Sequence, residues 1–448
     1  MFIGRERELA SLKEFYEKDG QEDYFYTATK VGQNRNLELF AKQVISVLDP
    51  DFESASFPST EDIFNFITKK LPDKKIVLVI DELPYWAEKD DSLLSILQKY
   101  IDTEWQNKNL FIILCGSALS FMEKKVLSEK SPLFGRRDSQ IKLEAFNYKD
   151  SALFVPDYSF EEKAICYGIT GGVAKYLSMI DKTKTLDENI KHLFFHTDGY
   201  LYDETRNLLT QEFMDIALVN NIIEQIASGQ NTNNLISEKV KEKASTVLYS
   251  IDKLMEVGLI EKKNCITEEK NKKKTQYILK DHMFKFWYEF IPKATSVIEM
   301  GHGDIYYEKA VKPNLHSYMG SVFEEMCRYY TLEQGICGKF DNFITRVGSW
   351  WGNETLESKD GKKYQQSTDI DIVAVSDIDK TAVVGECKFK NEPIGKEIYD
   401  TLLRRSKLIS GKYRISKYLL FSLSGYTSWF DELNDGNLRM FTLAELYE

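Results

Sequence analysis

Residues 76–80, Ile-Val-Leu-Val-Ile, form an unbroken apolar run that ends in Asp81-Glu82. A strand without polar alternation has to be buried on both faces, which places it in a parallel sheet covered by helices. A second such run lies in 109–119, Asn-Leu-Phe-Ile-Ile-Leu-Cys-Gly-Ser-Ala-Leu. Around these runs, apolar residues recur at helical spacing: Leu9, Leu12, Phe15 and Tyr16 within 4–17, and Leu37, Phe40, Val44 and Leu48 within 36–48. A short strand is expected at Tyr24-Phe25-Tyr26. Strand–helix alternation through residue 145 predicts an α/β domain.

A chain of 448 residues exceeds one core, so several domains are expected. The pattern divides into 1–150, a helical segment 151–220 broken at Gly171-Gly172, and 221–280. In 221–280 three short helices lead into a strand, a lysine-rich hairpin and a second strand, the order of a winged helix. An aromatic-rich connector, 281–312, leads to a second α/β domain, 313–448, read as helix, strand, strand, helix, strand, helix, strand. The net charge of −11 gives no global basic field, so any nucleic-acid contact has to be local. The six cysteines have no C-x-x-C pair, and Cys115 and Cys387 sit in strand-like runs. Reduced, buried thiols are expected rather than a disulfide or zinc framework. No apolar run approaches membrane-spanning length, and the first residues have no signal pattern. A cytoplasmic protein with no membrane contact is expected.

Asp81 and Glu82 end the buried strand where phosphate-loop enzymes hold Mg²⁺ and polarise water. The strand beside it ends in Cys115-Gly116-Ser117, where a polar side chain can sense a γ-phosphate. Arg136 and Arg137 are candidate phosphate contacts. The phosphate loop itself reads G-x-x-x-x-G-K-[ST]. Here its defining positions hold Thr27, Gly32, Gln33 and Asn34, so a single one of the four survives.

Taken together, these motifs resemble the AAA+-type ATPases common in archaea and some bacteria. The resemblance rests on Phe2-Ile3-Gly4-Arg5-Glu6-Arg7-Glu8-Leu9, the loop 27–34, the strand 76–82, Gly116-Ser117, Leu133-Phe134-Gly135-Arg136-Arg137 and Gly171-Gly172-Val173-Ala174-Lys175-Tyr176-Leu177. It implies a P-loop domain with a helical lid (151–220), a winged helix (221–280) and a nuclease-like C-terminal domain. Within it the nucleotide-binding positions are Gly32, Gln33, Asn34, Asp81, Glu82, Arg136 and Arg137. Gln33 brings no charge to the phosphates, and Asn34 brings an amide where a hydroxyl ligates Mg²⁺. Losing a charge-assisted phosphate contact costs roughly 1.5–3 kcal/mol, and losing the Lys removes transition-state stabilisation. The domain is expected not to hydrolyse ATP. Residual nucleotide binding would fall to Gly32 amides and the helix N-terminus.

Residues 237–280 hold 11 lysines and 7 acidic residues. Lys262, Lys263, Lys270, Lys272, Lys273 and Lys274 sit on the expected wing, suited to phosphate contact without base reading. The preceding helix, 243–254, has no arginine for guanine, so DNA binding is expected to be largely sequence-independent.

In 313–448, Ser367–Val375 reads as a strand with Asp369 and Asp371 on one face, and Thr381–Phe389 as a strand with Glu386 and Lys388 on one face. Glu324 lies on the preceding helix. Asp371, Gly385-Glu386-Cys387-Lys388 and Ile370-Asp371-Ile372-Val373-Ala374 resemble the PD-(D/E)xK restriction-endonuclease core. That resemblance makes Glu324, Asp371, Glu386 and Lys388 catalytic candidates and Asp371 and Glu386 ligands for Mg²⁺ or Mn²⁺. His192 and His196 have helical metal-ligand spacing but no third ligand nearby, and a packed helix is expected there.

The functional expectation is a DNA-directed protein with an inactive ATPase scaffold and a metal-dependent nuclease domain. The alternatives are a non-enzymatic DNA-binding or assembly protein with both sites silent, and an ATP-binding ATPase with an aberrant loop. A protein partner or homo-oligomer is compatible with each.

Overall fold

The computed structural model describes residues 3–16, 21–52, 56–72, 75–269, 271, 274–358 and 360–448. The chain divides into two compact units, Arg5–Leu143 and Met1–Gly4 with Glu144–Glu448. Phe2 and the expected wing lysines Lys270, Lys272 and Lys273 lie outside the described residues.

In Arg5–Leu143, α1 (Glu6–Tyr16) precedes β1 (Gln21–Thr27), α2 (Gln33–Leu48), α3 (Thr60–Lys70), β2 (Lys75–Asp81), α4 (Leu83–Ala87), α5 (Leu93–Thr103) and β3 (Leu110–Leu114). The strands are parallel in the order β1-β2-β3. The unbroken apolar run is the central strand, with Ile76, Val77, Leu78 and Ile80 buried. Helix α3 starts where the Ser59 hydroxyl accepts from the Asp62 amide at 3.2 Å. Glu61 and Asp62 in its first turn and Lys69 and Lys70 in its last complement the helix dipole. Phe40, Phe64 and Trp86 are fully buried against the sheet. Burial of each such side chain contributes roughly 1.5–3 kcal/mol.

The second unit opens with short helices. Among them α6 (Phe160–Thr170) begins with a Ser159–Glu162 capping box and ends at Gly171. The chain then turns through Gly171 and Gly172, at φ 62° and 72°. A Cβ on Gly172 would lie 2.0 Å from the Phe146 carbonyl oxygen, so the predicted break needs glycine for both angle and space. Next come α7 (Ile216–Ala227), α8 (Asn233–Val240), α9 (Ala244–Glu256) and the antiparallel hairpin β4 (Ile260–Lys263) and β5 (Gln276–Leu279). The aromatic helix α10 (His282–Phe290) leads to α11 (Leu315–Ile336).

Then follow β6 (Arg346–Glu357), β7 (Lys363–Ser376), β8 (Thr381–Lys388), α12 (Lys396–Ser406), β9 (Arg414–Ser422) and β10 (Leu438–Thr442). They form one sheet in the order β10-β9-β8-β7-β6. Pairing is antiparallel from β6 to β8 and parallel from β8 to β10. One face, with Ile372, Ala374, Val383 and Phe421, joins the core of α11; the other, with Val373, Val375, Val384 and Leu420, packs with Tyr399 and Leu402 of α12. A continuous core runs from Tyr148 to Leu446, so the segments 151–220, 221–280, 281–312 and 313–448 pack as one body.

Strand β6 is absent from the sequence expectation. Its Gly348, Gly352 and Asn353 read as turn residues, but cross-strand pairing with β7 overrides that signal. The β6–β7 register shifts between Gly348 and Trp350, where two steps on β6 match three on β7. The edge of β6 is closed by the hairpin loop: the Ile266 amide donates to the Ser349 carbonyl at 3.1 Å, and Cys265 and Ile266 are buried with Trp350 and Ile370. Covering an edge this way removes unpaired backbone groups.

Candidate functional site

Strands β7 and β8 are joined by the turn 377–380, with Ser376 opposite Thr381 and Ile372 opposite Gly385. That register carries Asp371, Glu386 and Lys388 to one place. Lys388 Nζ lies 2.7 Å from Glu386 Oε1 and 3.9 Å from Asp371 Oδ2. Asp371 Oδ2 also accepts the Cys387 amide at 2.9 Å. Both carboxylates are almost fully buried.

Burial, then the charges of Glu386 and Glu324, push the Asp371 carboxyl up to about 8. Burial alone would push the Lys388 ammonium down, but Glu386 and Asp371 outweigh it and raise its pKa. Lys388 offsets part of the repulsion between the two buried acids.

Glu324 reaches the same neighbourhood from α11 through Arg328. Arg328 Nη1 lies 3.2 Å from Glu324 Oε2 and donates to the Asp371 carbonyl at 3.0 Å. Among the described residues, no group of three or more His, Cys, Asp or Glu side chains is placed to hold a metal ion. Glu324 therefore belongs to the surroundings of the Asp371–Glu386 pair.

Sequence reasoning missed Arg405, on the last turn of α12. Its Nη1 lies 3.5 Å from Asp369 Oδ1 and 4.0 Å from Glu386 Oε2. The signal was Arg404-Arg405 closing an amphipathic helix after the Glu386 strand. Helix geometry alone did not say that one of them turns inward; Arg404 instead pairs with the buried Glu354 at 3.0 Å.

The described wing lysines divide. Lys274 pairs with Glu268 at 2.8 Å and donates to the Trp351 carbonyl at 3.5 Å. Lys263 lies over the Trp351 ring, 5.8 Å from its centre. Lys262 is exposed. Two of the three thus point into the body of the protein.

In Arg5–Leu143 the loop 28–32 enters α2 at Gly32, which makes no side-chain cap. The loop is organised by Asn36, fully buried on α2. Asn36 Oδ1 accepts from the Tyr26 hydroxyl at 2.8 Å and the Thr29 amide at 3.0 Å, and its Nδ2 donates to the Thr29 carbonyl at 3.0 Å. The Ala28 and Val31 amides go to the Asp81 and Thr29 carbonyls. Three loop amides are thus used within the protein. Gln33 and Asn34 form the first turn of α2, three residues before the helix start expected from apolar spacing.

Asp81 accepts a 3.4 Å hydrogen bond from Thr27, and Glu82, at φ 51°, accepts from the Ser117 hydroxyl at 3.0 Å. A Cβ at Gly116 would meet Pro84 at 2.5 Å, which accounts for the glycine beside Ser117. Arg136 turns to another partner: its Nε and Nη2 bind the Asp102 carboxylate at 2.7 and 2.8 Å, and its Nη1 donates to the Pro132 and Phe134 carbonyls. Its donors are spent on α5 and its own turn.

His196, of the weighed histidine pair, bonds Asp304 at 2.8 Å. Among the described residues, no helix is long and apolar enough to cross a membrane.

The parallel β1-β2-β3 unit, with two acids at the end of its central strand and a loop leading into α2, defines a P-loop ATPase-like domain. Residues 2–180 match the model of an ATPase domain found predominantly in archaea, and residues 287–399 match a family of archaeal and bacterial proteins of unknown function. An uncharacterized protein of Methanocaldococcus jannaschii is 30% identical over 434 residues, covering 91% of this chain and 92% of the relative. The chain belongs to this archaeal-type ATPase-domain family. Solved structures with some likeness include a Walker-type ATPase of Pyrococcus abyssi and the ORC2 protein of Aeropyrum pernix. The first is 18% identical, covering 64% of this chain and 96% of that one, at a TM-score of 0.42. The second is 13% identical, covering 66% and 82%, at a TM-score of 0.43.

Proposed function

We propose that the chain is a DNA-directed member of this family in which an ATPase-like scaffold carries a metal-dependent, PD-(D/E)xK-type nuclease domain. The observation that carries the reading is the grouping of Asp371, Glu386 and Lys388 across the β7–β8 hairpin. Buried carboxylates repel, and placing two beside one lysine is hard to justify by stability alone.

A divalent cation fits the donor set. Glu386 Oε2 is buried and, among the described residues, has no hydrogen-bond partner, so it is an oxygen that a cation would satisfy. Mg²⁺ commonly takes one or two carboxylates with water and substrate phosphate filling its remaining positions, so a pair of acids is enough. Asp371 and Glu386 would hold it, and the ion would polarise the scissile phosphate and acidify water. Lys388, drawn to both acids, would position the attacking water and balance charge on the phosphate. Arg405 would steady Glu386 and Asp369 from α12.

The segment 221–280 has the helix and hairpin order of a winged helix. Exposed Lys262, with Lys270, Lys272 and Lys273, would supply phosphate contact, whereas Lys274 holds the hairpin to β6. The ATPase-like unit is read as a scaffold. It lacks the loop lysine, and Asn36 organises the loop from within the protein. A nuclease assay on the full chain tests the reading. Labelled DNA should be cut with Mn²⁺ or Mg²⁺, remain intact with chelator, and remain intact with Lys388→Ala. Equal cutting by Lys388→Ala would overturn it. DNA binding without cutting would favour the non-enzymatic alternative.

A further inference from the structure

Beside the carboxylate–lysine group lies a cleft of about 360 Å³, walled by the β4–β5 hairpin, α11, β6 and β7. That volume falls in the roughly 300–1,000 Å³ range of small-ligand clefts. Its lining includes Lys263 and Gln276 from the hairpin, Glu324 from α11, Trp351 from β6, and Asp369 and Asp371 from β7, so Lys263 is its cation among acids. Asp371 belongs to both the cleft and the charged group, so the two are contiguous.

Two features mark the cleft as more than a surface furrow. Ser349 and Thr368, also in its lining, are each 5% exposed, and among the described residues neither hydroxyl has a hydrogen-bond partner. A buried hydroxyl without a partner costs free energy, and an entering polar ligand would recover it. The half-buried Trp351 ring also stands in the wall with the Lys263 ammonium over it, 5.8 Å from its centre. Burial, then Arg328, lowers the Lys263 pKa, while Glu324, Asp371 and Asp369 work the other way.

A flat aromatic wall, a cation on a flexible stem over it that an entering base would displace toward the phosphate, unpaired hydroxyls and an amide side chain match the face, phosphate and edge of one nucleotide. We propose that this cleft is a subsite for one unpaired nucleotide, its base against Trp351 and its phosphate toward Lys263. It would present the adjoining phosphodiester to Asp371. The last clause rests on the nuclease reading; the binding itself does not. The hairpin then has a use that its fixed position allows: it forms one wall of a strand-binding cleft, with Lys263 turned inward. A duplex, whose bases are stacked and paired, would have to release a nucleotide to enter.

The test uses the full chain in metal-free buffer with chelator, so that binding is read without cleavage. The probe is a short single-stranded DNA carrying a fluorescent purine analogue, with a matching RNA and a free mononucleotide as further arms. Stacking should quench the analogue. Trp351→Ala should weaken binding about tenfold, the scale of one base–aromatic stack. Trp351→Phe should restore most of it, and Lys263→Ala should weaken binding and flatten its salt dependence. Tightest binding by DNA, RNA or mononucleotide supports the subsite and identifies its source. Unquenched probe, or unchanged affinity in both Lys263→Ala and Trp351→Ala, overturns it. Loss of quenching with cleavage intact would sink the subsite alone. Quenching without cleavage in Mn²⁺ would sink the nuclease reading and leave the subsite standing.

Discussion

The backbone amide of Cys387 donates to the carboxylate of Asp371 at 2.9 Å. Glu386 and Lys388 flank Cys387 in sequence, so this bond fixes Asp371 beside both. It also explains why two buried acids remain together: one is held by an amide and both are held by an ammonium. The arrangement favours chemistry over stability, and that has a measurable consequence.

Asp371→Asn should stabilise the fold. The amide keeps an acceptor for the Cys387 N–H and spares the fold the cost of a carboxyl whose ionisation burial, Glu386 and Glu324 all oppose. A gain of about 1–2 kcal/mol in denaturant unfolding at neutral pH is expected, together with loss of any cleavage. A destabilised variant would mean that the Asp371 carboxylate serves the fold.

Asn36→Ala should cost about 2–3 kcal/mol in the unfolding of the ATPase-like unit. It removes the acceptor of the Thr29 amide and weakens the support of the buried Tyr26 hydroxyl. Denaturant melts of the full chain, followed by tryptophan fluorescence, check this. No loss would show that the loop does not depend on Asn36.

How far the sequence spoke can be judged from such residues. Ile76–Ile80 revealed the central parallel strand because nothing polar interrupts it. Asp371, Glu386 and Lys388 were legible because strand alternation and a short turn bring them together. Asn36 was not, since an asparagine within a helical pattern reads as a solvated position. Strand β6 hid behind its glycines, and the shifted β6–β7 register has no period of its own. The Arg136–Asp102 pairing joins residues distant in sequence, and only the folded chain brings them together.

Glu325 sets an acid limb. The half-exposed Glu325 is partly desolvated by its neighbours, which would raise its pKa, but the His282 and Tyr167 hydrogen bonds and Arg328 outweigh that and hold the carboxyl down to about 2. Its folded pKa is depressed, so its stability is present above the ordinary value of 4.5 and is lost as pH falls toward 2. Glu325→Gln should be less stable by on the order of 1 kcal/mol at neutral pH. The gap should close below pH 4.5. A gap independent of pH would contradict the assignment.

Lys262→Ala and Lys274→Ala should differ in DNA binding. Lys262 is exposed, so its loss should weaken binding across unrelated sequences and reduce the salt slope by about 1. Lys274 is held by Glu268 and the Trp351 carbonyl, so its loss should leave the slope unchanged. Titrations of both variants at several salt concentrations decide the matter; equal slopes would remove the wing from the DNA contact.

The most direct test of the central claim is a crystal of the full chain soaked with Mn²⁺, with data collected at the manganese absorption edge. An anomalous peak bound by Asp371 and Glu386 is expected, absent in Asp371→Asn. Manganese bound only elsewhere, or no peak at this pair in the wild-type protein, would contradict it.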